Sequence, residues 1–182
     1  MGGYQGGGLC QFDRLTKKFK RYAFTTDQNS PPNGVLDDGG VLSIMEDSKG
    51  VLWVGTNQGG LNRLDKTTGR FTSYHENSKG FQCIIFLYED SKGRLWAGSY
   101  LWGLFLFDRA TGNTRRFTEK DGLVFDEVQL IKEDAAGKIW LGSHRGFSIL
   151  DPTNFTIKTF TTVNGLPQNY INSRDVFDMN GR

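Results

Sequence analysis

"GRLWAGSYLWGLFLFDRATGNTRRFT", residues 93–118, is written almost twice more in the same chain. Residues 50–72 read GVLWVGTNQGGLNRLDKTTGRFT, and residues 137–156 read GKIWLGSHRGFSILDPTNFT. Trp53, Trp96 and Trp140 fall 43 and 44 residues apart, and Asp65, Asp108 and Asp151 fall 43 apart. An Asp-x-x-Gly phrase keeps the same step at Asp47, Asp90, Asp134 and Asp178. Independent markers that share one period of roughly 40–45 residues are the mark of a repeat architecture.

Each period reads as four short strands. Strand a is the apolar run before Asp-x-x-Gly, such as VLSIME or IIFLYE. The phrase itself is a tight turn, with the Asp carboxylate capping backbone amides and the Gly taking the positive φ. Strand b is LWVGT, LWAGS or IWLGS, strand c is GLNRLD, GLFLFD or GFSILD, and strand d is RFTSY, RRFTE or TIKTF. No stretch has helical periodicity. Four strands per repeat without helices predict an all-β protein built of four-stranded antiparallel β-propeller blades. One blade cannot bury both faces of its sheet, so like faces stack, and the recurrent Trp is most simply the plug between neighbours.

The chain of 182 residues reads as a single propeller repeat region with units at about 1–40, 41–80, 81–125, 126–169 and a partial 170–182. In the register of the repeat, Met1 falls on the Trp53 position, and the last residues, Asp178 to Arg182, fall on the turn between strands a and b. The expectation is a fragment of a larger propeller, or a ring completed by dimerisation, in which a terminal strand a pairs beside a terminal strand b. An open arc would leave strand edges unpaired. Asp13 and Asp65 are 52 apart, the surplus lying in the polar loop 25–40, and Asp175 stands where Ile44, Leu87 and Ile131 stand, which predicts a bulge or frayed end.

Composition narrows the partners. With 22 basic and 20 acidic residues and a net charge of +2, nothing predicts binding to nucleic acid, and no basic stripe interleaves with the aromatics. The opening MGGYQGGGL lacks a basic region followed by an apolar run, so no secretory leader is read there. Two cysteines, Cys10 and Cys83, occupy different phases of the repeat and read as partly buried thiols rather than a metal site.

The strands repeat but the b–c loops do not. They read Tyr4-Gln5-Gly6, Asn57-Gln58-Gly59, Tyr100-Leu101-Trp102 and Ser143-His144-Arg145. Variation inside a fixed frame is where function is grafted. Tyr4, Gln5, Asn57, Gln58, Tyr100, Trp102, His144 and Arg145 are therefore the candidate ligand-binding residues of a shared rim. Exposed aromatics beside amide, imidazole and guanidinium groups suit sugar recognition, the ring covering the C–H face and the polar groups taking hydroxyls. Trp102 can instead pack on a neighbouring blade. No catalytic residue, metal or cofactor is predicted: the Glu-Asp pairs (Glu46–Asp47, Glu89–Asp90, Glu133–Asp134) recur in every repeat and read as turn caps. Only His75 and His144 are histidines, and no phosphate loop or metal-binding motif is present.

The phrase that runs from Glu46 to Phe71, from Glu89 to Phe117 and more loosely from Glu133 to Phe155 resembles the two-component regulator propeller repeat. The connectors 121–124 (DGLV) and 164–171 (NGLPQNYI) are similar to that family's between-blade phrase. The resemblance implies the periplasmic sensor region of a hybrid two-component histidine kinase, as in Bacteroidetes, perceiving an oligosaccharide. It implies membrane attachment only through parts of the parent protein absent here, since the chain has no kinase motif. A similar propeller family, the streptogramin lyases, uses a His and carboxylates with a divalent metal on such a rim. That makes an enzyme with His144 at its centre the alternative; a set of purely structural interaction blades is a further one.

Overall fold

The computed structural model describes residues 7–25, 34–74 and 81–171. Tyr4, Gln5, His75, Asp175 and Asp178 lie outside the described residues. The strands run β1 (Cys10–Phe12), β2 (Phe19–Arg21), β3 (Val41–Glu46), β4 (Leu52–Thr56), β5 (Leu61–Leu64), β6 (Phe71–Tyr74), β7 (Ile84–Glu89), β8 (Leu95–Ser99), β9 (Leu104–Phe107), β10 (Thr114–Phe117), β11 (Leu130–Glu133), β12 (Ile139–Ser143), β13 (Gly146–Leu150) and β14 (Ile157–Phe160). They make a two-stranded hairpin, β1–β2, and three four-stranded antiparallel meanders, β3–β6, β7–β10 and β11–β14. The hairpin is a half-blade and the meanders are the second, third and fourth blades of an all-β propeller arrangement. Two compact units divide the chain, Met1–Ile84 and Ile85–Arg182. Among the described residues no helix is long and apolar enough to cross a membrane.

The Asp-x-x-Gly turns are built as expected, with one addition. Asp47 Oδ1 accepts from the amides of Lys49 (3.0 Å) and Val51 (2.9 Å), and its Oδ2 accepts from the Trp53 indole N–H at 2.8 Å. Asp90 repeats this with Lys92, Arg94 and Trp96, and Asp134 with Ala136, Lys138 and Trp140. Each Trp therefore plugs apolar space while its one polar atom is satisfied by the carboxylate that shapes the turn. Burial pushes the Asp134 carboxyl up, but the indole and amide donors more than offset it and hold it below the usual range. The neighbouring glutamates form ion pairs at 2.8 Å, Glu46 with Lys66 at the surface and Glu89 with Arg109 in a partly buried position.

The c–d turns are organised by Asp65, Asp108 and Asp151. A Thr hydroxyl and a backbone amide hold the Asp65 and Asp108 carboxyls below their ordinary range. The Lys138 ammonium, with the Thr153 hydroxyl and amide, pulls Asp151 down to about 2. One position in these turns is left-handed in all four copies. Gly69 and Gly112 occupy it with φ of 73° and 77°, but Phe155 and Lys17 also adopt φ of 62° and 56°. A side chain there costs about 1 kcal/mol or more. Phe155 has compensation, since its ring lies 5.5 Å from that of Phe117 and 3.9 Å beneath the Arg115 guanidinium. Lys17 is exposed. Lys17→Gly is therefore expected to raise stability by about 0.5–1 kcal/mol in urea unfolding, whereas Phe155→Gly lowers it. An unchanged midpoint for Lys17→Gly would show that the strain is not there.

Packing follows the blades. In the first unit Leu9 and Tyr22 of the half-blade bury against Leu36 of the connector and Val54, Leu64 and Phe71 of the second blade. In the second unit Trp96, Leu104 and Phe117 of the third blade bury against Ile131, Ile139, Leu141 and Leu150 of the fourth. Trp53 and Trp96 are fully enclosed, and Trp140 is half-buried.

One sequence expectation needs correction, and one feature adds to the all-β reading. The addition is two 3-10 turns at Glu119–Asp121 and Thr162–Asn164, each opened by a Thr capping box and closed by a left-handed Gly. These turns are too short for any period to reveal. Cys10 is exposed rather than partly buried, because β1 has all three of its side chains open; Cys83 is half-buried.

Candidate ligand-binding rim

The 3-10 turns decide where the rim residues sit. After β10, the Thr118 hydroxyl accepts from the Lys120 amide, the Asp121 carboxylate accepts from the Thr118 amide, and Gly122 reverses the chain. Asp126 then accepts from the Glu119 amide through Oδ1 and from the Gly103 amide through its carbonyl. Val128 donates its amide to the Ser99 carbonyl, and Gln129 donates to Gly142. The connector 123–129 is thus bound to the b–c loop of the third blade on one side and to strand β12 on the other.

That placement assembles a cluster around His144. Glu127 is buried, and its Oε2 lies 2.6 Å from His144 Nδ1. Gln129 Nε2 donates to Glu127 Oε1 at 2.6 Å and lies 2.9 Å from His144 Nε2. Donors and acceptors match when His144 Nδ1–H donates to the carboxylate and the two amide hydrogens of Gln129 go to Glu127 and to His144 Nε2. Both ring nitrogens are then engaged in hydrogen bonds within the cluster.

The His144 ring stacks on Tyr170, with centroids 4.5 Å apart and planes at 15°. About half of Tyr170 is open to solvent. Tyr170 reaches this place by the device that places Glu127: the Asn169 side chain accepts from the Thr162 amide, as Asp126 does from Glu119, and Ile171 donates to the Ser143 carbonyl. Tyr170 and Glu127 are 43 residues apart, the same position in successive repeats. Beside them the exposed Arg145 guanidinium lies 4.1 Å from the centre of the Phe125 ring. The result is a small platform with one half-exposed aromatic ring, an imidazole held at both nitrogens, and a guanidinium held on a second ring.

The eight residues singled out in the sequence fare differently. His144 and Arg145 form the centre of this platform. Tyr100 is exposed on the b–c loop that the connector binds. Trp102 is not an open platform, nor is it shown packing on a neighbour. It is half-buried under Arg116 of its own blade, whose guanidinium lies 5.3 Å from its ring centre and whose Nε donates to its carbonyl at 2.7 Å. Asn57 and Gln58 belong to the first unit, where Asn57 donates its amide to Gly40 and Gln58 to the Asp38 carboxylate. Glu127, Gln129, Phe125 and Tyr170 escaped the sequence reading because they lie in connectors rather than b–c loops. The signal was available in the repeat, since the connector phrase brings its residues back at the same 43-residue step. No group of three or more His, Cys, Asp or Glu suited to a metal occurs among the described residues.

Two stretches, residues 35–58 and 78–101, match the family model described as two component regulator propeller. They span strands β3–β4 and β7–β8, the part of the blade that carries Asp-x-x-Gly and Trp. No curated protein sequence matches the chain. Among solved structures, it is similar to the extracellular domain of what is described as a hybrid two component system of B. thetaiotaomicron. That match has 24% identity and a TM-score of 0.68, covering 86% of this chain and 21% of the other. An extracellular domain from the same organism, described as belonging to a one component system, gives 19% identity and a TM-score of 0.70 over 91% and 22%. A catalytically inactive histidine-to-alanine variant of virginiamycin B lyase from Staphylococcus aureus, solved with quinupristin, gives 17% and 0.60 over 81% and 45%. At these identities the likeness shows the fold alone, and the chain spans about a fifth of the length of the first two.

Proposed function

Because this chain carries two-component regulator propeller repeats, we propose that it is a non-catalytic, ligand-reading part of an extracytoplasmic sensor, and that its ligand is an oligosaccharide. The observation that carries the reading is the Tyr170–His144 stack held by Glu127 and Gln129. An open aromatic face is suited to the C–H side of a pyranose. Arg145 offers guanidinium donors to ring hydroxyls from an adjacent position. The description of the neighbours as extracellular domains supports a location outside the cytoplasm, and signalling across a membrane would be the work of other parts of such a protein.

The enzyme alternative draws on the likeness to virginiamycin B lyase, but His144 has both nitrogens in use, which disfavours it as a general base. A glycan screen followed by titration calorimetry on the best ligand tests the reading. Tyr170→Ala is expected to weaken binding at least tenfold, about 1.4 kcal/mol, with an unchanged circular dichroism spectrum because Tyr170 is half exposed. Glycan binding indifferent to Tyr170 and His144 would move the site elsewhere. Turnover of a ligand that disappears with His144→Ala would replace the sensor reading by the enzyme.

A further inference from the structure

Arg145 is a cation among neutral loops. Apart from the imidazole beside it, no other b–c loop residue is basic: Tyr4-Gln5-Gly6, Asn57-Gln58-Gly59 and Tyr100-Leu101-Trp102 carry none. A tight hairpin fixes its backbone. Ser143 pairs with Gly146, which leaves His144 and Arg145 alone in the turn, and the Ser143 hydroxyl accepts from the Arg145 amide at 3.1 Å. The side chain is held as well, with the guanidinium 4.1 Å from the centre of the Phe125 ring. Phe125 in turn belongs to the connector that Gly103 and Ser99 hold through backbone hydrogen bonds to Asp126 and Val128.

Its charge is unanswered within the described residues. Elsewhere in this unit Arg94 pairs with Asp90 at 2.6 Å and Arg109 with Glu89 at 2.8 Å. Arg116 donates to the Trp102 carbonyl, and Arg115 lies over the Phe117 and Phe155 rings. Arg145 is exposed, and among the described residues no carboxylate forms an ion pair with it. The two carboxylates of the adjoining connector are engaged by other groups. Glu127 is buried and bonds to His144 and Gln129, while Asp126 accepts from the Glu119 amide. A guanidinium laid over an aromatic ring keeps its N–H edge for a planar acceptor with two oxygens.

We propose that the oligosaccharide read at this rim is an acidic one, containing a uronic acid whose carboxylate is bound by Arg145, with Phe125 as the positioning residue that holds the guanidinium. The inference rests on the proposed sugar-reading function and names the class of sugar. In a uronic acid the carboxylate stands at the edge of the pyranose, so a ring laid on an aromatic face presents it sideways. Arg145 follows His144 in the turn but has its guanidinium on Phe125, not on Tyr170, which places it beside the stacked rings rather than across them. A neutral hydroxyl would leave the positive charge unmatched, whereas a carboxylate takes two N–H donors and cancels it. A side chain already held on a ring also has less rotamer freedom to lose on binding.

Titration calorimetry on matched pairs reads the outcome. Each pair is a uronic-acid oligosaccharide and its carboxyl-reduced form, which keeps linkage and stereochemistry but is neutral. The pairs come from a screen that also holds neutral and sulfated oligosaccharides. The acid of the best-binding pair is expected to bind about tenfold more tightly than its reduced form, a gap that narrows with added salt. Arg145→Gln should bring the two members together, and Arg145→Lys should recover only part of the gap. Arg145 is exposed, so both variants stay folded, which circular dichroism verifies. Phe125→Leu should narrow the gap while the fold is kept. A preference for the acid that survives Arg145→Gln overturns the proposal, and so does a best ligand that is neutral or sulfated. In those cases binding that still depends on Tyr170 leaves the sugar-reading function standing. A screen in which no glycan binds removes that function and this inference with it.

Discussion

Trp96→Ala is expected to lower the free energy of unfolding by about 3–5 kcal/mol, the largest loss of any single substitution considered. The side chain is fully enclosed between the third and fourth blades, so its removal leaves a cavity lined by Leu104, Phe117 and Ile131. It also takes away the indole donor on Asp90 Oδ2, a buried carboxylate oxygen that then keeps only the Arg94 side chain. Trp140→Ala removes the same atoms and the same bond to Asp134, but from a half-buried position. Its cost should be roughly half as large, since area already in contact with water returns nothing when exposed. Urea unfolding of the two variants side by side makes the comparison. Equal losses would mean that the Asp–Trp bond, and not blade stacking, carries the contribution of these tryptophans.

Gly103→Ala should come next, at about 3 kcal/mol, and Gly165→Ala measures how much of that is backbone strain alone. Both glycines adopt left-handed φ, 86° and 94°. A Cβ on Gly103 would press into the Phe117 carbonyl oxygen, which is backbone and cannot swing aside, whereas nothing lies within 4 Å of the same atom on Gly165. Gly165→Ala is expected to cost only about 1 kcal/mol, the price of the conformation. The Gly103 amide also donates to the Asp126 carbonyl at 2.6 Å, so displacing this loop shifts the connector that carries Glu127. Gly103→Ala should therefore weaken glycan binding as well as stability, while Gly165→Ala, measured in the same calorimeter, separates the two effects. Wild-type stability for Gly103→Ala would show that the loop relaxes freely.

The strand boundaries were legible because they rest on local chemistry that recurs. Each described b strand begins one residue before a Trp and five after the Asp that caps its turn, and the structure reproduces these strands as LWVGT, LWAGS and IWLGS. The half-blade was legible for the same reason, as strands c and d in register with Leu61–Leu64 and Phe71–Tyr74. The indole bond to the turn carboxylate was implicit in the constant Asp–Trp spacing but needed three dimensions to be recognised. Phe155 and Lys17 in a left-handed position were hidden, because their residue types argue against it and only the surrounding turn enforces it.

The rim was half legible. Variation between repeats singled out His144 and Arg145, since a side chain that departs from the frame is not needed by the frame. It left Trp102 open between platform and packing, because sequence carries no record of which side chain folds over which, and the Arg116 guanidinium lies over that ring. It missed Glu127, Gln129 and Tyr170, which reach His144 across gaps of 15 to 26 residues. By itself the sequence determined the period, the strands, the turns and the Trp plugs, all properties of a segment and its copies. Only the tertiary structure decided which loops meet and which Trp is sealed. Those depend on where the connectors turn the chain, and that is set by hydrogen bonds between residues distant in sequence.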